Sequence, residues 1–304
     1  MLKKAVFIPP LVIFFMATAF AAGSLHAQRA IADKTKKLAV SSKTTVINGI
    51  DLVKVQEKVL PANGFTFNIR WGNLGARMVA NGVIDKAKLA KAVSGDSTLP
   101  EEYKAYFEES APDTIVLNQT SARFWVDVLW GLGLANKSKV LTQGEMVRLG
   151  KTENFASTGG WTLGVKKSMQ IYAKYSYIPL TIEQEKTVEE IAGNIYRPCC
   201  GNSTAFPDCN HGMAALGLIE LMVNQGFPRE EIYKTVLAFN SYWFPQTYLD
   251  LAYYFEKDGK DWEKVSPQEI LAKNYSSAAG YKDIKSKIDP VSWPALNSGG
   301  GCGA

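Results

Sequence analysis

Apolar residues recur every three to four positions along most of the chain after residue 65, and this spacing predicts α-helices. The clearest runs cover 118–135 and 209–225. Helix-start signals agree with the spacing, including a capping box formed by Thr181 and Gln184. Strand patterns do not alternate with the helical ones, so a parallel-sheet fold is not expected. We therefore predict a mainly α globular domain of about ten helices with little or no β-strand.

The remaining helices are predicted where apolar spacing and helix-start signals coincide. The Asn48-Gly49 pair is a turn signal, so one short strand or extended arm is expected around it. Small residues over 154–164 interrupt the helical pattern and predict a packing loop. The further helices are predicted over 71–82, 85–93, 100–107, 142–149, 161–177, 181–196, 229–239, 245–255 and 267–274.

The N-terminus has the features of an export signal. Lys3 and Lys4 precede an apolar run that ends in small residues, which predicts a secretory signal peptide over 1–27, with an uncleaved membrane anchor as the alternative. The protein is therefore expected to be extracytoplasmic, either periplasmic or secreted. It would touch the membrane only through this segment, and only if the segment stays uncleaved.

Three further segments follow the predicted signal peptide. Residues 28–61 are interpreted as a linker segment and 62–290 as the helical domain that carries the cysteine cluster. Residues 291–304 form a glycine-rich tail that contains Cys302. Glycine gives such a tail reach and lets its backbone approach a site closely.

Composition narrows the class of partner. Lys and Arg number 34 against 29 Asp and Glu, which gives a net charge of +5. No long basic stripe is interleaved with aromatic residues, so a nucleic-acid partner is not expected. Hydrophobic residues make up 46% of the chain, enough for a full core that does not need disulfides to fold.

Candidate chemistry concentrates in one short stretch. Cys199, Cys200 and Cys209, followed by His211, give the spacing C-C-x8-C-x-H. Thiolate and imidazole ligands suit zinc, Cu(I) or iron–sulfur centres. The sequence therefore predicts a metal site for Cu(I) or Zn that serves sequestration, delivery or structural support. The spacing matches no standard zinc motif, and the chain is interpreted as a binding protein rather than an enzyme.

Neighbouring residues extend this prediction. Asp208 is the expected N-cap of the helix that begins at Cys209. Met213 is a possible thioether ligand for Cu(I), with a core position as the alternative. The only other cysteine, Cys302, is hypothesised to fold back onto the cluster as a further ligand or disulfide partner. Its alternative is a free or intermolecular thiol in the tail.

Two other interpretations of the cysteines stay open. A structural disulfide could join Cys199 or Cys200 to Cys209 in an exported chain, leaving a helical binding or scaffold domain without catalysis. A thiol oxidoreductase could instead use a Cys209 thiolate with His211 as its acid–base partner. A c-type haem is disfavoured because the sequence has no C-x-x-C-H motif.

Overall fold

α-Helices make up most of the fold, as the apolar spacing predicts. The computed structural model describes residues 46–294 and 296. Short 3-10 turns lie at Ala105–Phe107, Thr152–Asn154 and Trp262–Lys264. In chain order, the α-helices are α1 (Leu52–Val59), α2 (Leu74–Ala80), α3 (Lys86–Ser94), α4 (Glu101–Lys104), α5 (Ala122–Ala135), α6 (Lys139–Gln143), α7 (Glu145–Arg148), α8 (Ala156–Gly159), α9 (Ser168–Ile171), α10 (Ile182–Gly193), α11 (Asn210–Asn224), α12 (Arg229–Trp243), α13 (Pro245–Lys257), α14 (Pro267–Ile270), α15 (Lys273–Ser276) and α16 (Ala278–Lys287).

The strands are short and form two antiparallel pairs in the described residues. β1 (Val46–Ile47) and β2 (Ile50–Asp51) form a hairpin around Asn48-Gly49, where both residues have positive φ angles, 53° and 80°. This turn confirms the signal in the sequence. β3 (Phe65–Phe67) pairs with β4 (Ile115–Leu117), a long-range pairing that local spacing does not predict.

Helices α5 and α11 cross at the centre of the core, and their side chains are buried along almost their whole length. Two glycines allow the close approach. A Cβ atom at Gly133 would lie 2.1 Å from the Met213 carbonyl oxygen, and one at Gly217 would lie 2.8 Å from the Gly133 nitrogen. Because backbone meets backbone here, this crossing fixes where the N-terminus of α11 lies.

Local signals set several helix ends as predicted. The Thr181 hydroxyl accepts a hydrogen bond from the Gln184 backbone N–H, and the Gln184 side chain accepts one from the Thr181 N–H. These two bonds confirm the capping box at the start of α10. The helix predicted over 142–149 is divided into α6 and α7 at Gly144. A Cβ atom added there would lie 2.1 Å from the Val140 carbonyl oxygen.

The helix predicted over 161–177 is wrong, because only α9 forms there. The backbone N–H groups of Val165 and Lys166 donate instead to the Gly82 carbonyl, each at 3.1 Å. The Trp161 indole donates to the Val83 carbonyl at 3.2 Å. Long-range partners thus satisfy groups that a helix would have paired, and these tertiary contacts override the local spacing.

Three helices of the described residues are missing from the sequence prediction: the short α8, which lies in the predicted packing loop over 154–164, and the longer α1 and α16. α1 begins after Asp51, whose carboxylate accepts from two backbone N–H groups of the first turn, and its apolar face joins the common core. α16 begins after Ser277, whose hydroxyl accepts from the Gly280 N–H at 3.0 Å. The buried residues of α1, Leu52, Val55 and Val59, do follow the three-to-four spacing, whereas α16 buries little apolar surface beyond Ile284.

A buried carboxylate ties α16 to α13. Asp250 is 0% exposed and accepts hydrogen bonds from four side chains. The donors are Gln246 Nε2 at 2.9 Å, Tyr281 Oη at 2.7 Å, Lys285 Nζ at 2.6 Å and Trp293 Nε1 at 2.9 Å.

The same C-terminal region supports the segment that carries the cysteines. The Ala278 N–H, at the start of α16, donates to the Cys200 carbonyl at 2.9 Å. An antiparallel bridge between Tyr196 and Ser203 closes the segment on its other side. The predicted signal peptide over 1–27, most of the predicted linker and Cys302 lie outside the described residues.

Candidate metal centre

Cys209 is the N-cap of α11. Its backbone is extended, with φ −121° and ψ 165°, and its sulfur accepts a hydrogen bond from the Gly212 N–H at 3.3 Å. The expectation that Asp208 caps this helix is wrong. The Asp208 carboxylate turns away to accept from Arg197 Nη2 at 2.6 Å and from Asn202 Nδ2 at 2.8 Å. The cap position therefore places a sulfur, not a carboxylate, at the positive end of a 15-residue helix.

Arg197 organises the loop that precedes α11. Its guanidinium is 1% exposed, and besides Asp208 it donates to the Asn202 and Phe206 carbonyls, both at 3.1 Å. Its Nε atom donates to Cys209 Sγ at 3.0 Å. One buried cation thus holds the loop backbone and the sulfur in a single network.

The guanidinium lies against the first turn of α11, where Gly212 leaves room for it. A Cβ atom at Gly212 would be 2.4 Å from Arg197 Cζ. Sequence analysis missed Arg197, since a single arginine beside Pro198 carries no distinctive signal. The available signal was Gly212 itself, because glycine disfavours a helix and marks a close approach.

Three predicted ligands converge. Cys199 Sγ lies 3.4 Å from Cys209 Sγ, and one ring nitrogen of His211 lies within 4.8 Å of both sulfurs. Cys199 is exposed, Cys209 is partly exposed and His211 is buried. The His211 ring packs on Phe244 and Trp243, with centroids 4.4 Å and 5.7 Å away. This Cys/His group can hold one metal ion.

A second group shares Cys209. Cys200 Sγ, an Asp208 carboxylate oxygen and Cys209 Sγ also lie within 4.8 Å of one another. Both Asp208 oxygens, however, already accept charge-assisted or amide hydrogen bonds from Arg197 and Asn202. This carboxylate is therefore committed to the loop, and the first group is the better ligand set.

The surroundings of Cys209 favour its thiolate form. Hydrogen bonds from the Cys199 and Cys200 thiols lower the pKa of Cys209 far below its ordinary value, and His211 and Arg197 lower it further against the opposing effect of burial. Hydrogen bonding to Cys200 and Cys209 raises the pKa of Cys199, with burial acting in the same direction. These opposite shifts favour the thiolate at Cys209 over the thiolate at Cys199, and metal ligation by both sulfurs would displace the proton that the pair retains.

The other proposed ligands differ in position. Met213 is fully buried and belongs to the hydrophobic core. Cys200 Sγ lies 3.7 Å from Asp208 Oδ1 and 3.9 Å from the Asn202 carbonyl, on the loop side of the cluster. Cys302 lies outside the described residues.

Comparisons with known proteins give no match, whether to a family model, a curated protein or a solved structure. Among the described residues, no helix combines the length and apolar character needed to cross a bilayer. The arrangement of sulfur and nitrogen atoms is what supports a functional interpretation.

Proposed function

We propose that this protein binds one metal ion through Cys199, Cys209 and His211. The observation that carries the proposal is the convergence of two sulfurs and one ring nitrogen within 4.8 Å of one another. Soft sulfur ligands combined with imidazole favour Zn(II) or Cu(I) over ions that prefer oxygen.

The spacing of the sulfurs favours three or four ligands around the ion. Two sulfurs bound to one tetrahedral ion at a metal–sulfur distance of about 2.3 Å lie about 3.8 Å apart. Cys199 and Cys209 need to separate by only a few tenths of an ångström from their 3.4 Å contact to reach that distance. A linear two-coordinate ion would need about 4.6 Å at the same bond length, a much larger change.

The position of the site favours metal carriage over a purely structural role. Cys199 is exposed, so a ligand from another molecule can reach the ion from that side. Three protein ligands also leave a further coordination position, as in zinc sites that accept an exogenous ligand. We propose that the protein sequesters or delivers the ion within the extracytoplasmic space, because the N-terminus has a signal-peptide pattern.

The fourth ligand is proposed to come from the protein or from the partner that exchanges the ion. Cys302 is the protein candidate, because the glycines around it give the tail reach. Cys200 is adjacent to Cys199, and two neighbouring residues rarely bind one tetrahedral ion together. Comparison of Cys302→Ser with the unmodified protein tests the tail directly.

The test is metal titration of protein purified without a metal-affinity tag and stripped with a chelator. We expect one Zn(II) or Cu(I) per chain. Cys209→Ser and His211→Ala should each weaken binding by more than the roughly 10- to 100-fold that loss of an outer-shell partner costs. Cys200→Ser is the matched comparison: it keeps a hydroxyl donor beside Cys209 and removes no proposed ligand, so it should lose less affinity than either ligand variant.

Two results would overturn the proposal. One is a folded, reduced protein that binds neither ion at micromolar concentration. The other is unchanged affinity in both ligand variants, with circular dichroism showing that each variant keeps its helical content.

A further inference from the structure

We infer that Cys199 and Cys209 form a thiol–disulfide exchange site, and that their oxidation releases the bound metal ion. The inference rests on the proposed function for the metal step, whereas the exchange itself rests on the sulfur geometry alone. The class of oxidant is a small organic disulfide.

The pair is arranged for exchange. The two sulfurs are in contact at 3.4 Å, although the residues are ten positions apart in sequence. Cys199 is the exposed member and is the one that an external disulfide can reach. Cys209 lies deeper, and its sulfur accepts from the Gly212 N–H and from Arg197 Nε. Both donors stabilise negative charge on that sulfur.

The chemistry has two displacement steps. Cys199 loses its proton and attacks one sulfur of the external disulfide, which forms a mixed disulfide and expels one thiolate. The Cys209 thiolate then attacks Cys199 Sγ, which forms the internal disulfide and expels the second thiolate. The two cysteines lose two electrons, and the external disulfide becomes two thiols, with one proton supplied by Cys199 and the other by solvent.

Oxidation and metal binding exclude each other. Both sulfurs of the ligand set are consumed by the disulfide, and His211 is left as the single member of that set. Metal ligation requires deprotonated thiolates, which the disulfide no longer provides. Reduction by a thiol reverses both steps and restores the site.

Cys200 provides the matched control. Its sulfur lies 3.7 Å from Asp208 Oδ1 and 3.9 Å from the Asn202 carbonyl, and it also hydrogen-bonds to Cys199 and Cys209 as a neighbour in the same cluster. The 3.4 Å sulfur–sulfur contact, however, joins Cys199 to Cys209. Cys200→Ser keeps a hydroxyl donor at this position and should still form the Cys199–Cys209 disulfide, whereas Cys199→Ser and Cys209→Ser should abolish it.

The experiment begins with full-length, reduced, metal-free protein treated with glutathione disulfide. Peptide mass spectrometry should find the Cys199–Cys209 bond and no bond to Cys200. Cys209→Ser should accumulate the glutathione adduct on Cys199, because the second displacement is removed. Pairing through Cys200 or Cys302, or thiols that stay unreacted, would overturn the inference.

The second arm repeats the oxidation on zinc-loaded protein, with a chromophoric zinc indicator present. One zinc ion should be released for each internal disulfide formed. Disulfide formation with zinc still bound would overturn the coupling. If the protein binds no zinc, the metal-free arm still tests the exchange, so failure of the proposed function and failure of this inference give different results.

Discussion

Arg197 and Asp250 are both buried charges at the centre of a four-contact network, yet their surroundings differ. Arg197 donates to a sulfur, a carboxylate and two carbonyls, and Asp250 accepts from four side-chain donors. Each network satisfies its charge with hydrogen bonds, which is what burial of an ion requires.

The difference lies in what the network leaves available. Every contact of Asp250 is internal, so its network joins α13 to the C-terminal segment and offers nothing to a ligand. The Arg197 network ends at Cys209 Sγ, which also contacts the exposed Cys199. A buried charge with all its hydrogen bonds made therefore indicates a structural role. A candidate site requires, in addition, ligand atoms that remain available beside the charge.

The largest expected effect comes from Arg197→Met, measured by urea unfolding of metal-free protein. Removal of the guanidinium leaves Asp208 and two carbonyls without their donor, and we expect a loss of about 3–5 kcal/mol in unfolding free energy. Zinc affinity should also fall by about tenfold or more, because Cys209 loses an outer-shell partner. Asp250→Asn is the comparison and should cost about 2–3 kcal/mol, with a much smaller change in zinc affinity because Asp250 reaches the cluster only through α16.

If Asp250→Asn weakens zinc binding as much as Arg197→Met does, the proposed difference between the Arg197 and Asp250 networks is wrong. Arg197→Lys keeps the positive charge but loses the planar guanidinium. Its unfolding free energy should therefore lie between those of the unmodified protein and Arg197→Met. If Arg197→Met does not fold, Arg197→Lys replaces it in both the unfolding and the zinc-binding measurements.

Glu220 is a third buried titratable group, and it sharpens the comparison because its hydrogen-bond network is incomplete. Asn136 Nδ2 donates to Oε2 at 2.8 Å, and Oε1 has no partner among the described residues. Burial raises the pKa of Glu220 from 4.5 to about 8, against the opposing effect of the neighbouring Ser138 and Asn136 side chains.

The expected result is a fall in unfolding free energy as pH rises from about 4.5 to about 8. Within that window the folded protein holds the Glu220 proton and the unfolded chain has lost it, so higher pH favours unfolding. The contribution is on the order of 3 kcal/mol by about pH 7. Glu220→Gln should remove this slope, and parallel curves for the two proteins over the same pH series would contradict the assignment.

Gly212→Ala gives the smallest of these effects and tests the contact between Arg197 and α11. The added methyl would lie 2.4 Å from Arg197 Cζ, so the guanidinium must shift. We expect a stability loss of about 1–3 kcal/mol together with weaker zinc binding. Gly193→Ala in α10 is the matched control, since its Cβ would meet nothing within 4 Å. Equal thermal stability of the two variants would show that the contact is loose.

Local signals in the sequence predicted much of the fold. The capping box at Thr181, the Asn48-Gly49 turn and the apolar runs of α5 and α11 each act over a few residues, so neighbouring side chains suffice to specify them. The helix predicted over 161–177 failed because two of its backbone N–H groups donate to the Gly82 carbonyl and its Trp161 indole donates to the Val83 carbonyl, both far away in sequence.

The candidate site divides in the same way. The sequence by itself determined the mainly helical fold and the residue types of the cluster, because apolar periodicity and the chemistry of cysteine and histidine are local properties. Only the tertiary structure decided that Cys199 contacts Cys209 and that Asp208 accepts hydrogen bonds from Asn202 and Arg197 in place of capping α11. Those contacts depend on the crossing of α5 with α11 and on the support of α16, which join residues far apart in the chain.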